Sequence, residues 1–262
     1  MNKILIITLI SMLLTMSYTE VANGDIFNTL KIRQPDRPHV CVFEANPEIT
    51  DNWEQLKVAT LKGIYEWEAK LKEMYPDGDW KIKIFNIIPW VEHENKYTSD
   101  YKYCNIMINF EKKNLKTNAV GTTEINFKNS YHKYMFINVY LEHSPSSNIT
   151  VADGSSGTFK ISLSNITLTP STVRNVVLHE VGHALGLLHY EINTPFKVNE
   201  YGTDRSAMYY AINVNSKQIL SVKIPDIQMI KELYGEDGWV GMTPPWNIRS
   251  CMVTGDITYN CR

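Results

Sequence analysis

The stretch from residue 176 to residue 191, VVLHEVGHALGLLHYE, constrains this chain more than any other. It carries three histidines and one glutamate at regular spacing among apolar residues. His179 and His183 are four residues apart, and residues at that spacing lie on one face of an α-helix. Their rings can therefore bind one zinc ion, with Glu180 close enough to take a proton from a water on that ion. The segment thus predicts a helix that carries a catalytic metal.

A third ligand is expected at His189, because catalytic zinc sites usually have three protein ligands. On a straight helix His189 would point about 240° away from His183, so the chain must change direction between them. Gly186 stands at the right place, since glycine readily adopts the left-handed conformation that ends a helix. The alternative is a core helix whose histidines only make hydrogen bonds, which we disfavour because so complete a pattern is rare in an ordinary composition.

The pattern HEVGHALGLLH resembles the long zinc signature of the metzincins, H-E-x-x-H-x-x-G-x-x-H. The letters SAMY at 206–209 resemble the Met-turn of the matrixins, with Met208 as its methionine. Residues 225–235, which end in LYG, resemble the last helix of the matrixin catalytic domain. The chain is therefore identified as similar to the matrixin-like metzincin zinc metalloproteases over residues 39–235.

This resemblance implies an α/β (α+β) fold of the metzincin or zincin-like type. Its expected parts are a twisted mixed sheet, two long helices, the zinc-binding active-site helix, a Met-turn and a C-terminal helix. It also implies a secreted zinc endopeptidase with Glu180 as general base. A peptide or protein substrate would lie along an exposed strand edge, for which residues 118–127 are the candidate. The alternative is a non-catalytic secreted binding module, against which the intact Glu180 argues.

The sequence departs from the matrixin pattern after the third histidine. Tyr190 stands where serine is usual, and the segment leading to the Met-turn is longer than usual. Tyr210 stands where matrixins have proline. In astacins and serralysins a tyrosine at this place can approach the zinc, so the resemblance implies a catalytic role for Tyr210, with a packed core tyrosine as the alternative. Because Cys41 lies in a predicted strand and no Pro-Arg-Cys-Gly stretch precedes it, we do not expect a cysteine to block the zinc.

The first 24 residues have the order of a secretory signal peptide, with Lys3, then a short apolar run, then small and polar residues. The apolar run is short for a membrane span, although an N-terminal anchor is the alternative. We expect a short leader or pro-segment at 25–38, the catalytic domain at 39–235 and a tail at 236–262. The mature protein would be extracellular or on the outer cell surface, without stable membrane insertion.

The four cysteines of the chain form an even set without a CxxC pair, which indicates two disulfides in an exported protein. We favour the pair Cys251 and Cys261, because Thr254-Gly255-Asp256 between them can turn the chain back. That choice leaves Cys41 with Cys104. Buried free thiols are the alternative.

The composition is that of an ordinary globular protein, with 44% hydrophobic and 21% charged residues and a formal net charge of −2. No basic block indicates nucleic acid as a partner, and we expect a monomer. Residues 151–157, VADGSSG, could bind a structural calcium ion as matrixin loops do, with a flexible surface loop as the alternative.

Hydrophobic periodicity predicts the remaining elements. Asp51 is the expected N-cap of the first helix, with Glu54 completing a capping box. Thr169 and Pro170 are expected to begin the second helix. The predicted helices are 51–74 and 169–188, the predicted strands are 39–43, 80–88, 104–110, 118–127, 134–141 and 158–166, and 144–158 is predicted as loop.

Overall fold

The structure, a computed structural model, describes residues 37–90, 104–114, 119–128, 132–143, 150–153, 157–160, 165–189, 204–209, 212, 214, 218–239, 251–252 and 260–261. Three helices lie in these ranges: α1 (Trp53–Met74), α2 (Pro170–Ala184) and α3 (Ile224–Tyr234). The strands are β1 (His39–Phe43), β2 (Lys83–Ile88), β3 (Ile106–Glu111), β4 (Gly121–Lys128), β5 (His132–Tyr140), β6 (Glu142–His143), β7 (Thr150–Asp153), β8 (Gly157–Lys160), β9 (Ile166–Thr167), β10 (Asp204–Ser206), β11 (Ile219–Ser221), β12 (Cys251–Met252) and β13 (Asn260–Cys261).

The main sheet is mixed and has five strands in the order β2-β1-β3-β5-β4. Strands β2, β1, β3 and β5 run parallel to one another, whereas β4 pairs antiparallel with β5 at one edge. The central strands β1 and β3 are almost wholly buried, which fits their runs of apolar residues. The prediction of an α/β fold with a mixed sheet is therefore confirmed, and so is the strand candidate at 118–127, which forms the edge strand β4.

Helices α1 and α2 pack closely against each other. A Cβ atom added at Gly63 of α1 would lie 2.8 Å from the carbonyl oxygen of Arg174 in α2. One turn further along, the indole Nε1 of the fully buried Trp67 donates to the carbonyl oxygen of Leu178 at 2.8 Å. This hydrogen bond fixes the position of α2, which carries His179 and His183, along the axis of α1.

The residues that the structure describes directly after α3 pack onto the same body. Trp239 is 3% exposed and meets Trp80 and Tyr234 in edge contacts, with ring centroids 5.0 and 4.6 Å apart. Tyr234 in turn donates from its hydroxyl to the carbonyl oxygen of Leu185, at the end of α2. At Trp239, therefore, the tail packs against the fold rather than standing apart from it.

Several predicted boundaries are wrong. Helix α2 ends at Ala184 instead of Leu188, because Gly186 adopts a φ of 102° and turns the chain. The N-cap of α1 is Asn52 instead of Asp51, and no side chain caps it. Strand β2 begins at Lys83 rather than residue 80. The residues predicted as loop at 144–158 include β7 and the start of β8, which pair antiparallel, and the predicted strand at 158–166 is divided between β8 and β9.

Cys41 and Cys104 form a disulfide, as predicted. Cys251 of β12 stands directly opposite Cys261 of β13, the register that the second predicted disulfide requires, and that bond stays a prediction. The predicted signal peptide and all of the predicted leader except residues 37 and 38 lie outside the described residues. None of the helices that the structure describes combines the length and apolar character of a membrane span.

Candidate metal centre

The three histidines of the sequence pattern converge on one point. Their Nε2 atoms lie 2.8 Å apart for His179 and His189, 3.0 Å for His183 and His189, and 3.1 Å for His179 and His183. The first two histidines are one turn apart on α2, whose N-terminus is capped by the side chain of Thr169. His189 reaches them because the chain turns at Gly186, as the spacing predicted. In the described part of the chain, these residues form a group that could hold a metal ion.

The chemistry of these nitrogens fits a cation. The Nδ1 atom of His179 lies 2.7 Å from the carbonyl oxygen of Ala207, and that of His183 lies 2.8 Å from the carbonyl oxygen of Leu187. A carbonyl oxygen only accepts, so both Nδ1 atoms carry the ring proton and both Nε2 atoms present lone pairs. Zinc–nitrogen bonds of about 2.0–2.1 Å place two tetrahedral ligands about 3.3–3.4 Å apart, which is about 0.2–0.6 Å more than the separations of 2.8–3.1 Å between these nitrogens.

The three histidines are also in the protonation state that metal binding needs. Burial, together with the neighbouring His183 and His189, holds the pKa of His179 well below its usual value. Burial and the neighbouring His189 lower the pKa of His183 to about 3, and burial lowers the pKa of His189. All three rings are therefore neutral near neutral pH, and neutral imidazole is the form that coordinates metals.

Glu180 lies beside the triad and is only 5% exposed. Its carboxylate oxygen Oε2 accepts a hydrogen bond of 2.6 Å from the hydroxyl of Thr123 on the edge strand β4. Burial raises the pKa of Glu180 to about 7, although the Thr123 hydrogen bond acts in the opposite direction. A carboxyl group of this kind can both accept and release a proton near neutral pH, as a general base and acid must.

The edge strand also leaves room for this carboxylate. A Cβ atom added at Gly121 would lie 2.5 Å from Oε1 of Glu180 and 2.6 Å from Cγ1 of Val176. Glycine is therefore required where β4 crosses α2 beside the triad. Neither Gly121 nor Thr123 was singled out from the sequence. The signal that could have found them is the small-residue run GTT in the segment 118–127, the candidate for the strand edge along which a substrate would lie.

Met208 occupies a turn beneath the triad and is fully buried. Its sulfur packs so closely on α2 that a Cβ atom at Gly182 would lie 2.2 Å from it. Ala207, one residue before it, supplies the carbonyl oxygen next to His179. Met208 thus packs on α2 at Gly182, next to His183, and its assignment as the methionine of a Met-turn stays a prediction.

Some predicted site residues cannot be placed. Tyr210 lies outside the described residues, as does most of the segment between His189 and the turn. Of the predicted calcium loop 151–157, the backbone of 151–153 and of Gly157 belongs to the β7–β8 hairpin. The calcium ion itself stays a prediction.

No protein-family model matches the chain. Among curated proteins, the chain is similar to one named 5'-deoxyadenosine deaminase from Methanococcus maripaludis strain C6, with 32% identity over 129 residues. The similarity covers 44% of this chain and 28% of the relative, so the chain spans less than a third of that protein. A family is not established by so partial a match.

This similarity contradicts the predicted activity. The sequence pattern predicted a secreted zinc endopeptidase, whereas the curated relative is named for a deamination, a hydrolysis of another kind. The prediction of a protease therefore stands corrected, and with it the description of the chain as a metalloprotease. The two reactions share an attack by water on a carbon bonded to nitrogen.

Proposed function

We propose that the chain is a metal-dependent hydrolase in which His179, His183 and His189 hold a zinc ion and Glu180 is the general base. One observation carries the proposal: the Nε2 atoms of three histidines face one another within 3.1 Å, next to the buried carboxylate of Glu180. Three histidine ligands with an open position are typical of catalytic rather than structural zinc. The fold and the Met208 turn support a metzincin-like centre as the architecture of this site.

The zinc, when bound, would supply a Lewis acid that lowers the pKa of a water molecule. The protein's own residues handle the proton. Glu180 accepts it from the attacking water and later delivers it to the departing nitrogen. Thr123 holds Oε2 of this carboxylate, and Gly121 leaves the space that Oε1 fills. Because Glu180 is nearly buried, water is partly excluded from its carboxylate. The exclusion of water strengthens the electrostatic interactions of the site.

The similarity to the deaminase favours a purine amine as the bond attacked. In zinc deaminases a metal-activated water attacks C6 of adenine, and a glutamate that is not a ligand acts as acid and base. Those enzymes hold the zinc with one histidine and two cysteines or with three cysteines, so the correspondence is confined to the separate roles of a metal and of a glutamate such as Glu180. The reaction would release ammonia from an adenine nucleoside and leave a carbonyl oxygen at C6.

We also propose that the protein is exported. The apolar N-terminal run and the Cys41–Cys104 disulfide support an oxidising compartment, since disulfides persist there and are rare in the cytosol. A structural calcium ion at 151–157 remains a further proposal for the same compartment.

The test uses the purified full chain loaded with zinc. Metal content is measured by atomic emission, ammonia release from 5'-deoxyadenosine and adenosine is followed, and hydrolysis of p-nitrophenyl acetate serves as a general hydrolase probe. Glu180→Gln should keep the zinc and lose about 100-fold or more of the hydrolytic rate, since general-base catalysis typically contributes about 10²–10⁴-fold. Glu73→Gln, on an exposed side chain of α1, is the matched control.

The hydrolase activity and the choice of a nucleoside as substrate can be overturned separately. Ester hydrolysis that depends on Glu180 without any ammonia release would support the hydrolase and overturn the choice of a nucleoside. A wild-type protein that binds no zinc, or a Glu180→Gln variant as active as wild type, would overturn the hydrolase itself.

A further inference from the structure

A buried carboxylate and a buried serine connect α3 to the turn beneath the triad. Asp226, fully buried in the first turn of α3, accepts a hydrogen bond from the hydroxyl of Ser206 at 2.8 Å. Its second oxygen accepts from the backbone N–H of Lys223 at 2.7 Å, which also ties it to the start of its own helix. The oxygen of the Ser206 hydroxyl accepts from the backbone N–H of Met208 at 3.0 Å. The pair therefore clamps the two ends of the short turn around Ala207.

That turn contacts a histidine of the metal centre through a backbone carbonyl group. The carbonyl oxygen of Ala207 is the acceptor for Nδ1 of His179. The backbone N–H of Ala207 donates to the carbonyl oxygen of Ser221 in β11 at 2.8 Å, so the peptide is held from a third direction. The carbonyl determines which ring nitrogen of His179 carries the proton, and it thereby leaves Nε2 free to coordinate.

We propose that Ser206 and Asp226 are positioning residues for the metal centre, acting on His179 through the carbonyl group of Ala207. The proposal rests on metal binding by the triad, which is part of the proposed function. Without the Ser206 hydroxyl, the buried N–H of Met208 loses this acceptor and the buried carboxylate of Asp226 loses this donor. Each such loss is costly in the interior, so the turn must shift to recover a partner. A shift of the turn moves the Ala207 carbonyl and with it the ring of His179.

The test measures metal affinity and therefore does not depend on any substrate. The full chain is freed of metal and titrated with Co²⁺, whose visible absorption reports the geometry of its ligands, and zinc affinity is then obtained by competition. Ser206→Ala should bind both metals about tenfold more weakly, as changes behind histidine ligands typically cost about 10–100-fold. The Co²⁺ bands should also change in intensity, because the position of one ligand ring changes.

Thr60→Val is the matched control. Thr60 is buried in α1 and its hydroxyl donates to the carbonyl oxygen of Leu56 in the same helix, so the change removes a buried hydrogen bond away from the triad. We expect wild-type metal affinity and spectrum from this variant. An equal loss of affinity in Thr60→Val would show that general destabilisation causes the effect, and it would overturn the inference.

A second variant shows whether the two residues act through one connection. Asp226→Asn keeps the shape of the side chain but can accept only through one oxygen, so it should weaken metal binding as well. The double variant should lose far less affinity than the product of the two single losses, because residues in one hydrogen-bonded chain are not additive. If the two losses of metal affinity multiply, the proposed connection between Ser206 and Asp226 is overturned. If Ser206→Ala fails to fold, the metal affinity of Asp226→Asn alone tests the positioning role.

The outcomes for the inference and for the proposed function are distinct. Wild-type protein that binds neither metal overturns the metal-dependent hydrolase and this inference with it. Wild-type protein that binds Co²⁺ while Ser206→Ala binds it within twofold, with the same spectrum, overturns only the positioning role.

Discussion

At the scale of single residues, the carboxylate of Glu180 is subject to two opposed effects. Its burial disfavours the charged form and raises the pKa to about 7, whereas the hydroxyl of Thr123 donates to Oε2 and favours the charged form. The same hydroxyl also lies 3.0 Å from the carbonyl oxygen of Glu180, so it is shared between the side chain and the backbone of one residue. Thr123 therefore orients the proposed base and favours its charged form against the larger effect of burial.

Thr123→Val should lower the hydrolytic rate without loss of zinc. A hydrogen bond to a charged group contributes about 1.5–3 kcal/mol, which corresponds to a loss of roughly 10–100-fold if the bond is present only with the base correctly oriented. Rates with p-nitrophenyl acetate and zinc content are measured on the same preparation. Thr123→Ser keeps the hydroxyl and should recover most of the rate.

Thr122→Val is the control for this change. Thr122 is buried in the same strand, and its hydroxyl contacts the hydroxyl of Tyr140 instead of Glu180. We expect a rate close to wild type from this variant. Equal rates for Thr122→Val and Thr123→Val would contradict the role assigned to Thr123.

The residues of the centre differ in how far the sequence could predict them. His179, His183 and Glu180 lie within one helical turn, and His189 follows a glycine that ends the helix, so their convergence follows from local geometry. Thr123 and Asp226 come from elements far away in the chain, and their contribution depends on tertiary packing that no local pattern specifies. Their residue types, threonine and aspartate, are too common on strands and helix starts to stand out.

At the scale of elements, the position of α2 depends on its contact with α1. The periodic apolar residues of α1 predicted its helix correctly, because a long amphipathic pattern is a strong signal. The cap at Asn52 and the early end of α2 were missed, since helix ends depend on one or two residues and on turn conformation. What the pattern could not predict is the specific hydrogen bond from Trp67 to α2.

Trp67→Phe should destabilise the fold by about 2 kcal/mol, because it removes a buried hydrogen bond and leaves a cavity where part of the ring had been. The free energy of unfolding is measured by urea denaturation of the metal-free protein. Trp53→Phe, at the partly buried start of the same helix, is the control and should cost less. A larger loss for Trp53→Phe would indicate that the contact between the helices contributes less than the structure implies.

At the scale of the whole molecule, a disulfide restrains the sheet. Cys41 lies in the central strand β1, and Cys104 precedes β3, the strand that pairs with β1, at a sequence separation of 63. Closing so long a loop restricts the unfolded chain, and such a bond typically contributes about 2–4 kcal/mol. Replacing both cysteines by serine should therefore lower the free energy of unfolding by about this amount. An unchanged value in non-reducing buffer would contradict a restraining role.

The metal is expected to stabilise the whole fold, because its three ligands lie on one segment that hydrogen bonds connect to other parts of the chain. Two ligands lie on α2, the third follows its turn, and the carbonyl beside His179 belongs to a turn that is fastened to α3. A ligand that binds only the folded state adds about 4.1 kcal/mol at 1,000 times its dissociation constant, so zinc should raise the melting temperature measurably.

Differential scanning calorimetry of the metal-free chain with increasing zinc measures this effect. The melting temperature should rise with the logarithm of the zinc concentration once the site is filled, and EDTA should reverse the rise. His183→Ala removes one ligand of the triad and should abolish the shift, whereas His143→Ala, which changes a histidine outside the triad, should retain it. If His183→Ala kept the full zinc-dependent shift, the stabilising ion would be bound elsewhere on the molecule, and the triad would not be the site that couples metal binding to folding.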